Sequence, residues 1–132
     1  MSHAAQEGAN LQLVLDVYEH VLKPLDSSRV DDFFAPGYIQ HNPMAETGSD
    51  GLRRFLDWAR STTPNVQHHV KRVFVDGDHV IAHVHVIIDG DDPADRGNAV
   101  VDIFRIESGR VAEHWDAAQA VPEQCANTNG VF

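Results

Sequence analysis

The stretch Glu113-His114-Trp115-Asp116, inside GRVAEHWDAAQ, sets an imidazole and a carboxylate two residues apart on what reads as the last β-strand. Side chains two apart on a strand share a face. The preceding strand carries Asp102, and the ESG turn between the two strands decides whether Asp102 joins them. A glycine after two turn-formers suits a three-residue hairpin loop with Gly109 left-handed. Ile106 then faces Arg110, Phe104 faces Ala112, Asp102 faces His114 and Val100 faces Asp116. One face collects Asp102, Phe104, His114 and Asp116, and the other collects Val101, Ile103, Val111 and Trp115; a two-residue loop would instead set Asp102 opposite Trp115 and off the His114 face. Two acids and an imidazole suit a dry core poorly. They suit a cavity in which apolar walls carry a few convergent polar groups. In such a cavity Asp116 is the candidate base, and Asp102 would fix the tautomer of His114. A positioned acid or base contributes about 10²–10⁴-fold to rate.

Other side chains are candidates to support that chemistry. YIQHNP, Tyr38 to Pro43, is extended because Pro43 disfavours helix at Asn42. It offers His41 as a fourth catalytic group and Tyr38 and Asn42 as donors to a carbonyl or enolate. His83 and His85 alternate with Val84, so they share a face and, with Phe104 and Trp58, complete the candidate substrate contacts. His68 and His69 point to opposite faces, and neither is assigned a role. Each group also has a plainer reading. Asp102 and His114 can satisfy one another as a structural pair, YIQHNP can be a backbone-bonded turn, and both tryptophans can be packing residues. Cys125 has no base beside it in VPEQCANTNGVF, which argues against a nucleophile. His41, His83, His85, His114, Asp102 and Asp116 could together form a metal site. No tight spacing such as H-E-x-x-H is present, so the expectation is neither metal nor cofactor, with a metal-dependent enzyme as an alternative.

The elements that must position these groups are legible as periods. Leu11, Val14, Leu15, Tyr18, Val21 and Leu22 form an apolar stripe that predicts a helix from Leu11 to Leu22, capped by Asn10 and ended by Pro24. A short helix follows near Val30 to Phe34, stopped by APG. Ser49 should cap a second long helix carrying Leu52, Phe55, Leu56 and Ala59 inward. From Val66 the period is two, with strands at Val66 to Asp76, His79 to Asp89, Gly97 to Ile106 and Arg110 to Gln119. Helices followed by an antiparallel meander define an α+β fold with helices on one face of a curved sheet.

The 132 residues are expected to form a single domain, 1–132, with a core at about 11–119 and a tail at 120–132. A formal net charge of −10 argues against nucleic acid or an anionic membrane as partner. Apolar runs are short, no basic-then-apolar leader is visible, and there is one cysteine, all consistent with a cytoplasmic protein.

YIQHNP, GLRRFL and the closing VVDIFRIESGRVAEHWD, in this order of helices and strands, resemble the SnoaL-like branch of the NTF2-like superfamily. The resemblance runs from about Leu11 to Gln119. It implies an NTF2-like cone, with a curved antiparallel sheet wrapped around N-terminal helices to enclose a pocket, and a homodimer through the sheet's outer face. In SnoaL-type polyketide cyclases an acidic residue on the closing strand is the base of an intramolecular aldol condensation, and Asp116 matches it. Limonene-epoxide hydrolases are similar through G-K-I-x-x-W-R-D, which aligns without a gap on GRVAEHWD. They carry an Arg and a second Asp where this chain has HVHV. The resemblance implies cofactor-independent acid–base catalysis, of aldol or retro-aldol type, on an apolar, aromatic or polyketide-like molecule. A binding module without catalysis and a pure interaction domain are the other readings of the scaffold.

Overall fold

The computed structural model describes residues 2–132. Helix α1, His3–Val17, begins earlier than its apolar stripe, because Ser2 rather than Asn10 caps it by accepting from the Ala5 amide at 3.1 Å. Asn10 is buried instead and donates to the Gly77 carbonyl at 3.0 Å. After Val17 the helix widens into a π turn, Tyr18–Leu22, where the Lys23 amide reaches the Tyr18 carbonyl at 2.9 Å. Helix α2 is the short Val30–Phe33, and α3 is Gly48–Thr62. Ser49 lies within α3 rather than capping it, and Leu52, Leu56 and Ala59 face inward.

Five strands form the sheet: β1 Phe34–Gln40, β2 Gln67–Asp76, β3 His79–Ile87, β4 Asn98–Glu107 and β5 Arg110–Ala120. Their order is β1-β5-β4-β3-β2. The last four form the expected meander. Strand β1 corrects the reading of an all-antiparallel sheet: APG does not end in a loop but lies inside β1, which pairs parallel to β5. Pro36 is tolerated there because β1 is an edge strand. The sheet is curved and unclosed, the helices cover its concave side, and the architecture is an α+β cone. Val14, Val17, Val21, Leu56, Val80 and Val84 are among the residues that fill the contact between them.

Register is where the structure departs most from expectation. The hairpin loop has two residues, Ser108 and Gly109, with φ of 51° and 73°, and Glu107 pairs with Arg110. Two left-handed residues make a type I′ turn, whose twist matches that of the strands. Such a turn alone would swing His114 away from Asp102. A one-residue bulge at Ala112 restores the phase, pairing Phe104 with His114 and Asp102 with Asp116. Asp102, Phe104, His114 and Asp116 therefore share a face through different pairs from those expected. Val111, ahead of the bulge, moves from the outer face into the core. A second bulge at Lys71 acts likewise on β2. Val73 and Val75 point inward beyond it, and before it His68 rather than His69 does.

Candidate active site

The concave face of the sheet, α3 and the segment after β1 enclose a cavity of about 380 Å³. That volume lies at the small end of the usual range for ligand sites. Its walls are mostly apolar, with Leu22, Phe34, Leu52, Phe55, Val86 and Phe104 among them. The polar groups are Tyr38, Gln40, Asn42, His68, Asn98, Asp102, His114 and Asp116.

Three of these form one cluster. His114 Nε2 lies 2.9 Å from Asp102 Oδ1 and 3.9 Å from Asp116 Oδ2. The second oxygen of Asp102 accepts from the Tyr18 hydroxyl at 2.5 Å. Burial, followed by the charge of Asp102 and the bond to it, raises the Tyr18 pKa well above its ordinary value, so the hydroxyl stays a donor. Tyr18 enters because the sheet curves over the π turn; as a lone hydroxyl in an otherwise aliphatic stripe, it needed a buried acceptor.

Gln40 orients the imidazole from the other side. Its Oε1 accepts from the His41 amide at 3.1 Å and the Asn42 amide at 3.0 Å. Two backbone donors leave no ambiguity about which amide atom is the oxygen. His114 Nδ1, 2.7 Å from that oxygen, must therefore carry a proton and donate. Gln40 Nε2 in turn donates to the Tyr38 hydroxyl at 2.8 Å. Burial, with the charges of Asp102 and Asp116 behind it, pushes the Tyr38 pKa up, so that hydroxyl also stays protonated. Its own proton meets no acceptor among the described residues, although its ring lines the cavity.

Asp116 is the least committed acid. Asn42 donates to its Oδ2 at 2.6 Å, and its Oδ1 accepts no hydrogen bond from a described residue. The cavity thus offers a carboxylate oxygen in a mostly apolar wall and, elsewhere in the same lining, a tyrosine proton without an acceptor, the two kinds of group a proton transfer at carbon requires. The same cluster could hold a metal: one ligand atom each from Asp102, His114 and Asp116 lies within 4.8 Å of the others. An Nδ1–H bonded to an amide oxygen, leaving Nε2 inward, is also how metal-binding histidines are commonly oriented.

Four expected site residues lie elsewhere. His41 is not in the cavity wall; its Nε2 bonds Glu113 at 2.8 Å and its ring stacks on Trp115 at 5.1 Å. Strand β1 pairs Gln40 with His114, so alternation turns Gln40 inward and His41 outward. His83 and His85 occupy the outer face because Ala82 and Val84 take the inner one. Both rings pack against Phe132, at 5.3 and 4.6 Å. Trp58 is 49% exposed, on the side of α3 away from Leu52 and Leu56. Tyr38, Asn42 and Phe104 do line the cavity.

The sequence reading passed over three positioned groups: Tyr18, Gln40 and His68. His68 lines the cavity, and its Nδ1 is the only enclosed side-chain nitrogen or oxygen among the described residues without a hydrogen-bond partner. Leaving such a group unpaired costs about 1–3 kcal/mol. Burial lowers the His68 pKa and keeps the ring neutral.

The chain belongs to the SnoaL-like domain family, whose model matches residues 14–114 and so ends two residues before Asp116. Among solved structures it resembles TsrD from Streptomyces laurentii at 24% identity, covering 89% of this chain and 91% of that one, with a TM-score of 0.64. A Bacillus cereus protein provisionally named a polyketide cyclase has a TM-score of 0.72 at 16% identity, over 83% of this chain and 74% of that one. An Agrobacterium tumefaciens protein provisionally named an isomerase of the SnoaL-like family has a TM-score of 0.67 at 16% identity, over 88% and 99%. Likeness at these identities establishes the fold. No curated protein matches the chain. No helix among the described residues is long and apolar enough to cross a membrane.

Proposed function

We propose that this protein is a small-molecule enzyme working by acid–base catalysis without a cofactor, on aldol or retro-aldol carbon–carbon chemistry. The observation that carries the reading is Asp116: a cavity-wall carboxylate steadied on Oδ2 by Asn42 and left free on Oδ1. In the forward direction Asp116 takes a proton from a carbon beside a carbonyl. The electron pair left behind forms the new carbon–carbon bond at a second carbonyl, whose oxygen takes up a proton. Tyr38 supplies a hydrogen bond to whichever oxygen gains charge, and the Tyr18–Asp102–His114–Gln40 chain holds the imidazole in place beside it. The reverse direction uses the same groups. The mostly apolar wall fits an aromatic or polyketide-like substrate. The family and the provisional names of two structural neighbours support this reading.

Asp116→Asn keeps the shape and removes the base. It should lower kcat by about 10²–10⁴-fold on a substrate found by screening β-hydroxyketones and poly-β-ketones. Undiminished turnover refutes the mechanism, while ligands that bind and are never turned over favour a binding module.

The three ligand atoms of Asp102, His114 and Asp116 favour one second reading, a metal-dependent enzyme. Stoichiometric metal in purified protein, with activity lost on chelation and restored by the ion, would replace the first reading by the second. A homodimer through the outer face fits the exposed Phe74 and Val101 there, and sedimentation tests it. A cytoplasmic location fits Cys125, an exposed free thiol, and fractionation of the source cells tests it.

A further inference from the structure

His68 stands opposite the acid cluster. His68 on β2 is three strands from Asp116 on β5 and two from Asp102 on β4, so the strands that carry them are about 14 and 10 Å apart across the sheet. The sheet's curvature folds these walls toward each other around the cavity that both line. The wall between them is mostly apolar, with Val86, Val100 and Phe104 and the single polar side chain of Asn98, and contains no lysine or arginine. Neither ring nitrogen of His68 bonds a described residue; Nδ1 is enclosed beyond a ligand's reach, and Nε2 is the nitrogen that is not enclosed. Buried polar atoms in folded proteins are nearly always paired, and an exception needs a reason. Nothing in the fold requires an imidazole here, since Val70 and Val73 on the same strand fill the inner face as ordinary apolar residues.

We infer that His68 is a second ligand-binding group: it takes a neutral oxygen, hydroxyl or carbonyl, at the end of the ligand remote from Asp116. Nε2 of a neutral imidazole is a donor in one tautomer and an acceptor in the other, so it serves either kind of oxygen. With no lysine or arginine in the wall and two carboxyl groups in it, that end favours a neutral oxygen over a carboxylate or phosphate. The ligand class is a neutral molecule with an apolar middle and an oxygen function at each end. This rests on the cavity being the site proposed above, but not on the reaction assigned to it.

The test compares 2,6-dihydroxynaphthalene with 2-naphthol by calorimetry on the intact chain, with 2-naphthoate as the anionic control. In the wild type the diol should bind about five- to tenfold more tightly than 2-naphthol, the worth of one hydrogen bond, and 2-naphthoate should bind least. In His68→Phe that ratio should fall to near one while 2-naphthol binding stays within about twofold. His68→Leu repeats the comparison with a different shape. An unchanged ratio in either variant overturns the inference, as does failure of the wild type to bind either phenol. A second readout needs no ligand: removing an unpaired nitrogen should raise Tm by about 3 °C or more in His68→Phe, whereas a lowered Tm marks His68 as structural and overturns the proposal. Turnover by Asp116→Asn judges the catalytic reading separately, because that substitution leaves the His68 end of the cavity untouched.

Discussion

Tyr18→Phe removes one oxygen and nothing else. The hydroxyl is the partner of Asp102 Oδ2 at 2.5 Å, and both residues are at most 9% exposed. The ring itself packs edge-on against Phe104 at 5.9 Å and is kept by phenylalanine. The loss is therefore confined to a hydrogen bond on a charged acceptor that water does not replace, worth about 1.5–3 kcal/mol. Against a total stability of about 5–15 kcal/mol this is large. With a urea m-value of about 2 kcal/mol/M, the unfolding midpoint should fall by about 1 M. A double-mutant cycle with Asp102→Asn isolates the pair and should return a coupling of about 1–2 kcal/mol. The raised Tyr18 pKa fixes the sign of the pH dependence. The contribution is complete below the ordinary tyrosine pKa of about 10 and fades as pH rises beyond it. The gap between wild type and Tyr18→Phe should thus be constant from pH 6 to 9 and narrow above that. Additive single losses, or a midpoint shift under about 0.3 M, would refute the view that this bond anchors the cluster.

Further outcomes follow from the same geometry. Gly97→Ala places a Cβ 2.2 Å from the Val86 carbonyl oxygen at a φ of +68°, and should cost about 2 kcal/mol or more in urea unfolding. Ser108→Asn suits the left-handed first position of the type I′ turn better than serine does, and should raise stability by about 0.5–1 kcal/mol. His68 has its pKa lowered by burial, so the unfolded chain takes up a proton before the folded one does. Stability should fall as pH drops below the ordinary histidine value of about 6.5, and His68→Phe should lose less than the wild type between pH 7.5 and 5.5.

Long periodic segments were legible in the chain because a helix or a half-buried strand repeats its apolar contacts at a fixed interval. The stripe of α1, the inward residues of α3 and the four meander strands follow from that alone. The first half of strand β1 was not, because a single Pro-Gly segment reads as a stop unless one knows that β5 offers it an edge. The turn was misjudged by one residue, since ESG suits either loop, and the bulge at Ala112 that compensates has no local signal. Alanine is simply a residue that fits there. For the same reason the choice between His68 and His69 could not be made: the bulge at Lys71 decides it. The inward grouping of Asp102, His114 and Asp116 follows from the three-residue loop expected and equally from the two-residue loop plus bulge that forms, whereas a two-residue loop alone would have split it. Tyr18 and Gln40, which clamp that group, come from distant segments whose approach only the folded chain reveals.

The surplus residue at Ala112 bears on how this chain is lined up with its kin. A cousin with the same Ser-Gly bend but an uninterrupted ladder is one residue shorter between bend and acid. Matching the two letter for letter would set Asp116 against a solvent-facing neighbour of the true counterpart and lose the correspondence. A gap-free match across this segment that still ends on an acid therefore carries information of its own, because it requires the other chain to hold the same extra residue.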